Sequence, residues 1–465
     1  MKNRFVQIIE SWKTIDNEFN SINDIIEWTN ELNSITTVNV EKIKFNDNDF
    51  WKYDKINDCI KNSSNSFFKI TGINKVNDLN GEVISSQPII VQPEIGYLGI
   101  IAKEFNGKLF FLMQAKIEPG NINKVQLSPT LQATRSNFMQ THGGKQPNYL
   151  EYFINNSKYE VIIDQIQSEQ SSRFYGKRNR NIIIVVDDDI SIDCWHKWLT
   201  LGQIKELMKI DNLVNMDTRT VISCIPFALR RFCNDDIAKI KRIIDDEAIF
   251  NSMFDNSECG ISVNKVFHFL NNEKMFDFTT TNLVGISSLK NWVYDGYELK
   301  SNINNFKVIY CNIEIEGREV RSWKQPLIEA NEPYIFGLLC TNVNGKIKYL
   351  VKTMKEIGCF DKIELGPTVQ STLSSLIKSE NEVEKIFLKA YRDDNNKVFE
   401  GIFSEEGGRF YHEQNKNCLV YINYNEVDKL PDGYFWLDYY TLNLFTQFNN
   451  CLNIQLRNLI SIISI

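Results

Sequence analysis

Gln114, Lys116 and Glu118 alternate with Phe111, Met113, Ala115 and Ile117 along one short stretch of the chain. In a strand this spacing sends the apolar set to one face and places an amide, a cation and a carboxylate side by side on the other. Thr130, Gln132 and Thr134 repeat the pattern, with Leu131 and Ala133 behind them. Two neighbouring polar stripes predict a concave, hydrogen-bonding surface rather than a dry core. Ser168 to Asn181 then gathers Glu169, Arg173, Lys177, Arg178 and Arg180 around Phe174-Tyr175. Guanidinium forks suit phosphate, and an aromatic face suits a nucleobase.

The elements that must position these residues read as α+β. Residues 98–104 and 109–118 are strand-like and meet at Asn106-Gly107, a strong hairpin signal. A third strand is expected over about 124–134, and further strands over 159–166 and 181–186. Residues 198–210 and 218–227 are expected to be helical. The order fits a mixed sheet flanked by helices.

The whole arrangement occurs twice, about 238 residues apart. Asn106-Gly107-Lys108 returns as Asn344-Gly345-Lys346, and Leu127 to Thr134 returns as Leu365 to Thr372. Ser168 to Tyr175 returns as Ser404 to Tyr411 after a two-residue slip. Trp198-Leu199, Asn215, Arg219 and Ser223 reappear as Trp436-Leu437, Asn453, Arg457 and Ser461. A repeat this long is a duplicated domain, far beyond a solenoid unit. We expect a first repeat over 1–232, a helical connector over 233–255 and a second repeat over 256–465. A merely solvated face needs no particular polar residue, yet Pro-Thr-x-Gln-x-Thr recurs in both copies. Lys116 becomes Met354 and Arg135 becomes Leu373, whereas Glu118 persists as Glu356. The first copy keeps the cations that an anionic ligand needs, so chemistry is expected there. The second would be a structural or vestigial site, with Thr368, Gln370, Thr372, Glu405, Arg409 and Tyr411 as its binding residues.

Composition limits the function classes. The 465 residues are 43% hydrophobic, enough for real cores. A net charge of −7 argues against a general nucleic-acid binder. No run approaches the roughly 18 apolar residues of a membrane span. The start of the chain leads into an amphipathic pattern (Val6, Ile9, Trp12, Ile15) rather than a signal-peptide core, and none of the ten cysteines forms a C-x-x-C pair. Reduced, structural cysteines and a cytoplasmic location are expected. His142, His196, His268 and His412 show no metal-ligand spacing, so no metal is expected.

Several ordered blocks resemble the NDP-hexose 2,3-dehydratases. They are Gln92 to Gly96, Gln114 to Asn121, Val125 to Asn137, Tyr149 to Phe153, Asp164 to Gln170, Lys177 to Asn181, Trp198 to Gln203 and Asn215 to Thr220. In the second copy Glu405 to Phe410 carries the resemblance, while Lys355-Glu356-Ile357-Gly358 departs from it. The resemblance covers nearly the whole chain. It implies a tandem duplication of a Nudix-like mixed-sheet domain, a homodimer, and a substrate that is a nucleotide-linked 4-keto-6-deoxyhexose. Thymidine (dTDP) is the common nucleotide, with GDP or CDP as alternatives, and a 3-ketoreductase would take the product. The glutamate-rich helix of Nudix pyrophosphatases is absent from the sequence, which disfavours diphosphate hydrolysis. A non-catalytic nucleotide-sugar binding protein is the other rival.

The implied reaction is a dehydration. The C4 ketone acidifies the C3 proton, a base removes it, and the enolate expels the C2 hydroxyl. The enol then tautomerises to a 3,4-diketo sugar. Nothing is oxidised overall, so no cofactor is expected, and no G-x-G-x-x-G motif is present to hold a dinucleotide. The step needs a base, a donor to the enolate oxygen and an acid for the leaving hydroxyl. On this resemblance Glu118 is the expected base, with His142 as alternate, and Lys116 or Arg135 the enolate donor. Gln114, Ser128, Thr130, Gln132, Thr134, Ser136 and Glu169 would contact the sugar. Arg173, Lys177, Arg178 and Arg180 would hold the diphosphate, and Tyr175 or Trp198 would stack the base.

Overall fold

A computed structural model describes residues 3–46, 49–64, 66–134, 146–228, 230–316, 321–427 and 429–465. Its centre is a pair of seven-stranded mixed sheets with the same pairing order. In the first, Glu160–Ser168, Arg178–Val185, Gly96–Phe105, Lys108–Ile117 and His196–Leu199 lie side by side. Val125–Pro129 pairs with Lys108–Ile117, and Leu131–Ala133 crosses to Gly96–Phe105. In the second, Lys397–Ser404, Gln414–Tyr421, Tyr334–Val343, Lys346–Met354 and Tyr434–Asp438 repeat that order. Each sheet has one parallel pairing, Arg178–Val185 on Gly96–Phe105 and Gln414–Tyr421 on Tyr334–Val343.

Local chemistry explains the elements. Asn106 and Gly107 take φ values of 49° and 80°, and Asn344 and Gly345 take 53° and 78°, the left-handed pair that a tight hairpin requires. Phe111, Met113, Ala115 and Ile117 enter the main core as their alternation demands. Residues 198–210 do not form one helix. Trp198 belongs to strand His196–Leu199 and pairs with Leu112. Helix Leu201–Leu207 begins only after Thr200, which caps it in a reciprocal box with Gln203. The following helix is Met216–Ser223, capped by Asn215 rather than beginning at Thr218. Two helices, Asn234–Ile243 and Glu247–Phe254, occupy the charged stretch between the repeats.

Two five-stranded sheets complete the body, and each is made by both halves. Val38–Lys42 pairs with Phe306–Ile315, while Thr279–Val284 pairs with Lys69–Asn77. The halves also share one core, in which Trp12, Leu127, Val214, Leu365 and Leu452 belong to the same cluster. Arg219 and Arg457, both fully buried, reach across it: Arg219 Nη2 donates to Ser404 O at 3.0 Å, and Arg457 Nη2 donates to Ser168 O. Among the described residues no helix is long and apolar enough to cross a membrane.

Candidate active site

A cavity of about 860 Å³ opens between the polar edge of the first sheet and the second half. Gln114 and Lys116 reach it from strand Lys108–Ile117, and Glu118 follows directly after the strand. Lys116 Nζ lies 3.1 Å from Glu118 Oε1, and Glu118 is 5% exposed. Gln132 donates to the same Oε1 at 3.1 Å and is itself oriented by Asn215 Nδ2 at 3.2 Å. Asn215 is held in turn as the cap of its helix, accepting from Thr218 N at 2.9 Å. A carboxylate fixed through a chain of amides is pre-organised for acid–base work. The second half repeats this relay, Asn453 to Gln370 to Glu356, at 3.0 and 2.8 Å. It lacks the lysine, because Met354 stands in place of Lys116.

Part of the recurring motif is committed to the fold instead. Thr130 Oγ1 accepts from Ile101 N at 3.0 Å and donates to Leu112 O, tying the strand switch to the hairpin. Thr368 does the same with Leu339 N and Leu350 O. Ser128 is fully buried and donates to Pro129 O. Ser128 lies off the cavity wall, whereas Thr130 lines the cavity with its hydroxyl already engaged by backbone. Thr372 caps the helix Leu373–Ile377. Thr134 remains on the cavity wall.

The cations are redistributed by a crossing of the two halves. The turns after Glu160–Ser168 and Lys397–Ser404 each pack against the opposite half. Gly358 N donates to Ser171 O at 2.8 Å, and Gly120 N donates to Gly407 O at 2.7 Å. Arg409 consequently lines the first-half cavity rather than a second site. Its guanidinium lies 4.4 Å from the Phe67 ring and 4.3 Å from the Phe68 ring, and Nη2 donates to Gln92 Oε1 at 3.0 Å. Arg173 makes the reciprocal move and lies 3.9 Å over Phe306 of the second half, away from the cavity wall. Arg178 stacks 3.9 Å over Phe360. Arg180 is paired with Asp164 at 2.5 and 2.6 Å and bonded to the Tyr97 hydroxyl. Of the four cations expected at the diphosphate, only Lys177 lines the cavity.

The expected stacking rings are also elsewhere. Trp198 packs on Phe105, and Tyr175 is 37% exposed outside the cavity wall. Phe50, Phe67, Trp195 and Trp323 supply aromatic faces to the cavity instead. Of the second-site residues, Glu405 accepts from Asn415 at 2.5 Å and from Gln170, and Tyr411 stacks on His412. Arg135, Ser136 and His142 lie outside the described residues.

Buried acids crowd the floor. Glu169 accepts from Asn179 Nδ2 at 2.7 Å. Burial, reinforced by the Glu406 charge, pushes its carboxyl up. Glu406, from the second half, is raised by burial as well, and burial lowers the Lys177 ammonium. Two further groups escape the strand patterns of the sequence. Asp217, near the start of helix Met216–Ser223, is 2% exposed and lines the cavity. His196 also lines it, with Nδ1 2.6 Å from Asp193 Oδ1. The repeat itself held the signal for both. Asn215-to-Arg219 aligned on Asn453-to-Arg457 puts Gln455 opposite Asp217, and the same offset puts Tyr434 opposite His196.

The model of the NDP-hexose 2,3-dehydratase family matches residues 22–225 and again 263–463. The chain is 34% identical over 417 residues to a dTDP-4-dehydro-6-deoxy-alpha-D-glucopyranose 2,3-dehydratase of Saccharopolyspora spinosa, covering 88% of this chain and 85% of that protein. It is 33% identical to the enzyme of the same name from Amycolatopsis orientalis, covering 95% and 90%. A third, from Streptomyces violaceoruber, is 30% identical over 93% of this chain and 95% of its own length.

Proposed function

The chain belongs to the NDP-hexose 2,3-dehydratase family and is a 2,3-dehydratase of deoxysugar biosynthesis; from that premise we propose its substrate and the division of labour in its site. The substrate is a dTDP-linked 4-keto-6-deoxyhexose, the compound class in the names of all three relatives. The observation that carries this reading is the Lys116–Glu118 pair on one wall of the cavity, with Arg409 and Lys177 also on its lining. An acid–base pair and a separate set of cations suit a ketosugar joined to a diphosphate.

Glu118 takes the C3 proton, and Lys116 donates to the C4 oxygen as charge develops on it. Arg409 and Lys177 hold the diphosphate, and Trp323 and Phe67 offer faces to the base. Each half is proposed as a Nudix-like module, supported by the strand order that occurs twice. We further propose a homodimer and a 3-ketoreductase as the next enzyme, since a 3,4-diketo product calls for reduction at C3.

Incubation with dTDP-4-keto-6-deoxy-D-glucose and a trapping ketoreductase tests the reading. The expected product has lost one water and keeps its diphosphate. Release of nucleoside monophosphate would instead identify a hydrolase, and binding without turnover a non-catalytic protein.

A further inference from the structure

Asp217 is the most unusual group in the cavity. It is 2% exposed, and its Oδ1 is buried without a hydrogen-bond partner among the described residues. The charged groups that face it come from every side of the cavity. Glu118 and Lys116 belong to the hairpin strand and its end, Glu169 follows strand Glu160–Ser168, and Glu406 belongs to the second half's turn. Burial drives its carboxyl well above the ordinary range, the three carboxylates add to that, and Lys116 opposes them. A carboxyl in such a place favours its protonated form and can donate that proton. Gln455 at the equivalent place in the second half keeps the polar shape without a proton to give.

We propose that Asp217 is the acid that protonates the departing C2 hydroxyl. The proposal rests on the reading of the chain as a nucleotide-sugar 2,3-dehydratase. Glu118 takes the C3 proton, leaving its electron pair in the enolate. The C2–O bond then breaks with its pair on oxygen, and the Asp217 proton completes a water molecule. In the enol that remains, the C3 hydroxyl returns a proton to Asp217 while C2 takes the one held by Glu118. One water is lost and both carboxyls are reset.

Asp217→Asn tests this, because it preserves shape and neutrality. Elimination should slow by roughly 100-fold or more, the usual worth of a positioned acid, with substrate KM within about 3-fold. Exchange of the C3 hydrogen with deuterated solvent should continue, because that step uses Glu118 and Lys116 and needs no acid at C2. Glu118→Gln should lose both exchange and elimination. Asp217→Asn that eliminates within about 5-fold of wild type, or that stops exchange as well, overturns the proposal. Absence of turnover in the wild-type protein would instead be a failure of the functional reading. Should the variant not fold, the wild-type protein decides with a substrate carrying fluorine at C2, a leaving group that needs no proton. The fall in elimination at high pH should appear with the hydroxyl substrate and vanish with the fluoride. An identical fall for both would overturn the assignment.

Discussion

Arg409 Nη2 donates to Gln92 Oε1 across 3.0 Å, which plants a cation of the second repeat in a wall built by the first. Its counterpart Arg173 leaves the first repeat to sit over Phe306 of the second. Divergence of the second copy at Lys116 and Arg135 therefore does not make that copy dispensable. It supplies Arg409 and Glu406 to a cavity whose Lys116–Glu118 ion pair belongs to the other half.

The first prediction follows from that exchange. Arg409→Met should weaken dTDP binding by about 10- to 100-fold, the scale of a lost charge-assisted hydrogen bond. Arg173→Met should leave it within about 2-fold, because Arg173 is not on the cavity wall. Calorimetric titration of both variants with dTDP reads the difference. Equal losses would show that the crossing does not assign the phosphate to Arg409.

Lys116→Met copies the substitution that the second repeat already carries. The side chain is half-buried, with its ammonium 3.1 Å from the Glu118 carboxylate. Turnover should fall by roughly 100- to 1,000-fold, as for removal of a donor to a developing oxyanion. The melting temperature should stay near that of the wild type, since Met354 fills the same place in a folded half. Near-normal turnover would remove Lys116 from the chemistry.

How much of this could be read in advance depends on the range of the interaction. Gln114, Lys116 and Glu118 were legible because strand alternation is local, and Asn106-Gly107 because the turn needs positive φ at both residues. Thr130 lines the cavity as its stripe suggests, but its recurrence has a second cause. A polar residue that recurs in both repeats can recur for the fold, and its hydroxyl is consumed by Ile101 and Leu112. Trp198 reads as helical because its apolar neighbours continue into a helix, yet pairing with Leu112 claims it for the sheet. The destinations of Arg173 and Arg409 depend on contacts between residues more than a hundred positions apart, which no local period encodes. Asp217 sits on a short buried helix where a carboxylate has no apparent local partner, and only its replacement by Gln455 marks it.

Stability should fall as pH rises from about 4.5 to 7. Burial raises the carboxyls of Asp217, Glu169, Glu356, Glu405, Glu406 and Glu413, with Glu356 pushed up to about 7. Such a group is still neutral in the folded protein where the unfolded chain has ionised, so unfolding releases its proton. Its stabilising contribution is complete below the unfolded value and is lost as pH climbs through the folded one. His412, Lys177 and Lys205, all lowered by burial and Lys205 brought down to about 7, act in the opposite sense but are outnumbered by the raised acids. Asp255 and Asp295, held down to about 2, are ionised in both states across this window. Thermal melts at fixed ionic strength should therefore give a higher midpoint at pH 5.5 than at pH 7.5. A midpoint that rises over that interval would mean these acids are ionised and solvated in the folded protein.

Gly120 and Gly358 carry the crossing, and neither can accept a side chain. A Cβ on Gly120 would overlap the Phe410 carbonyl, and one on Gly358 would overlap the Phe174 carbonyl. Both obstacles are backbone, so no rotamer change relieves them. The same glycines exchange hydrogen bonds with the opposing turns, His412 N to Gly120 O at 2.9 Å and Gly176 N to Gly358 O at 2.8 Å. Gly120→Ala should cost about 3 kcal/mol or more of stability, the upper end for overpacking, and Gly358→Ala a similar amount. Gly260, in the first turn of helix Cys259–Met275 with open space around it, is the control, and alanine there should change stability by no more than about 0.5 kcal/mol. Denaturant titrations of the three variants provide the comparison. Gly120→Ala should also weaken dTDP binding, because the displaced turn carries Arg409. A Gly120→Ala protein that keeps both stability and nucleotide affinity would show that the two halves do not meet at this turn.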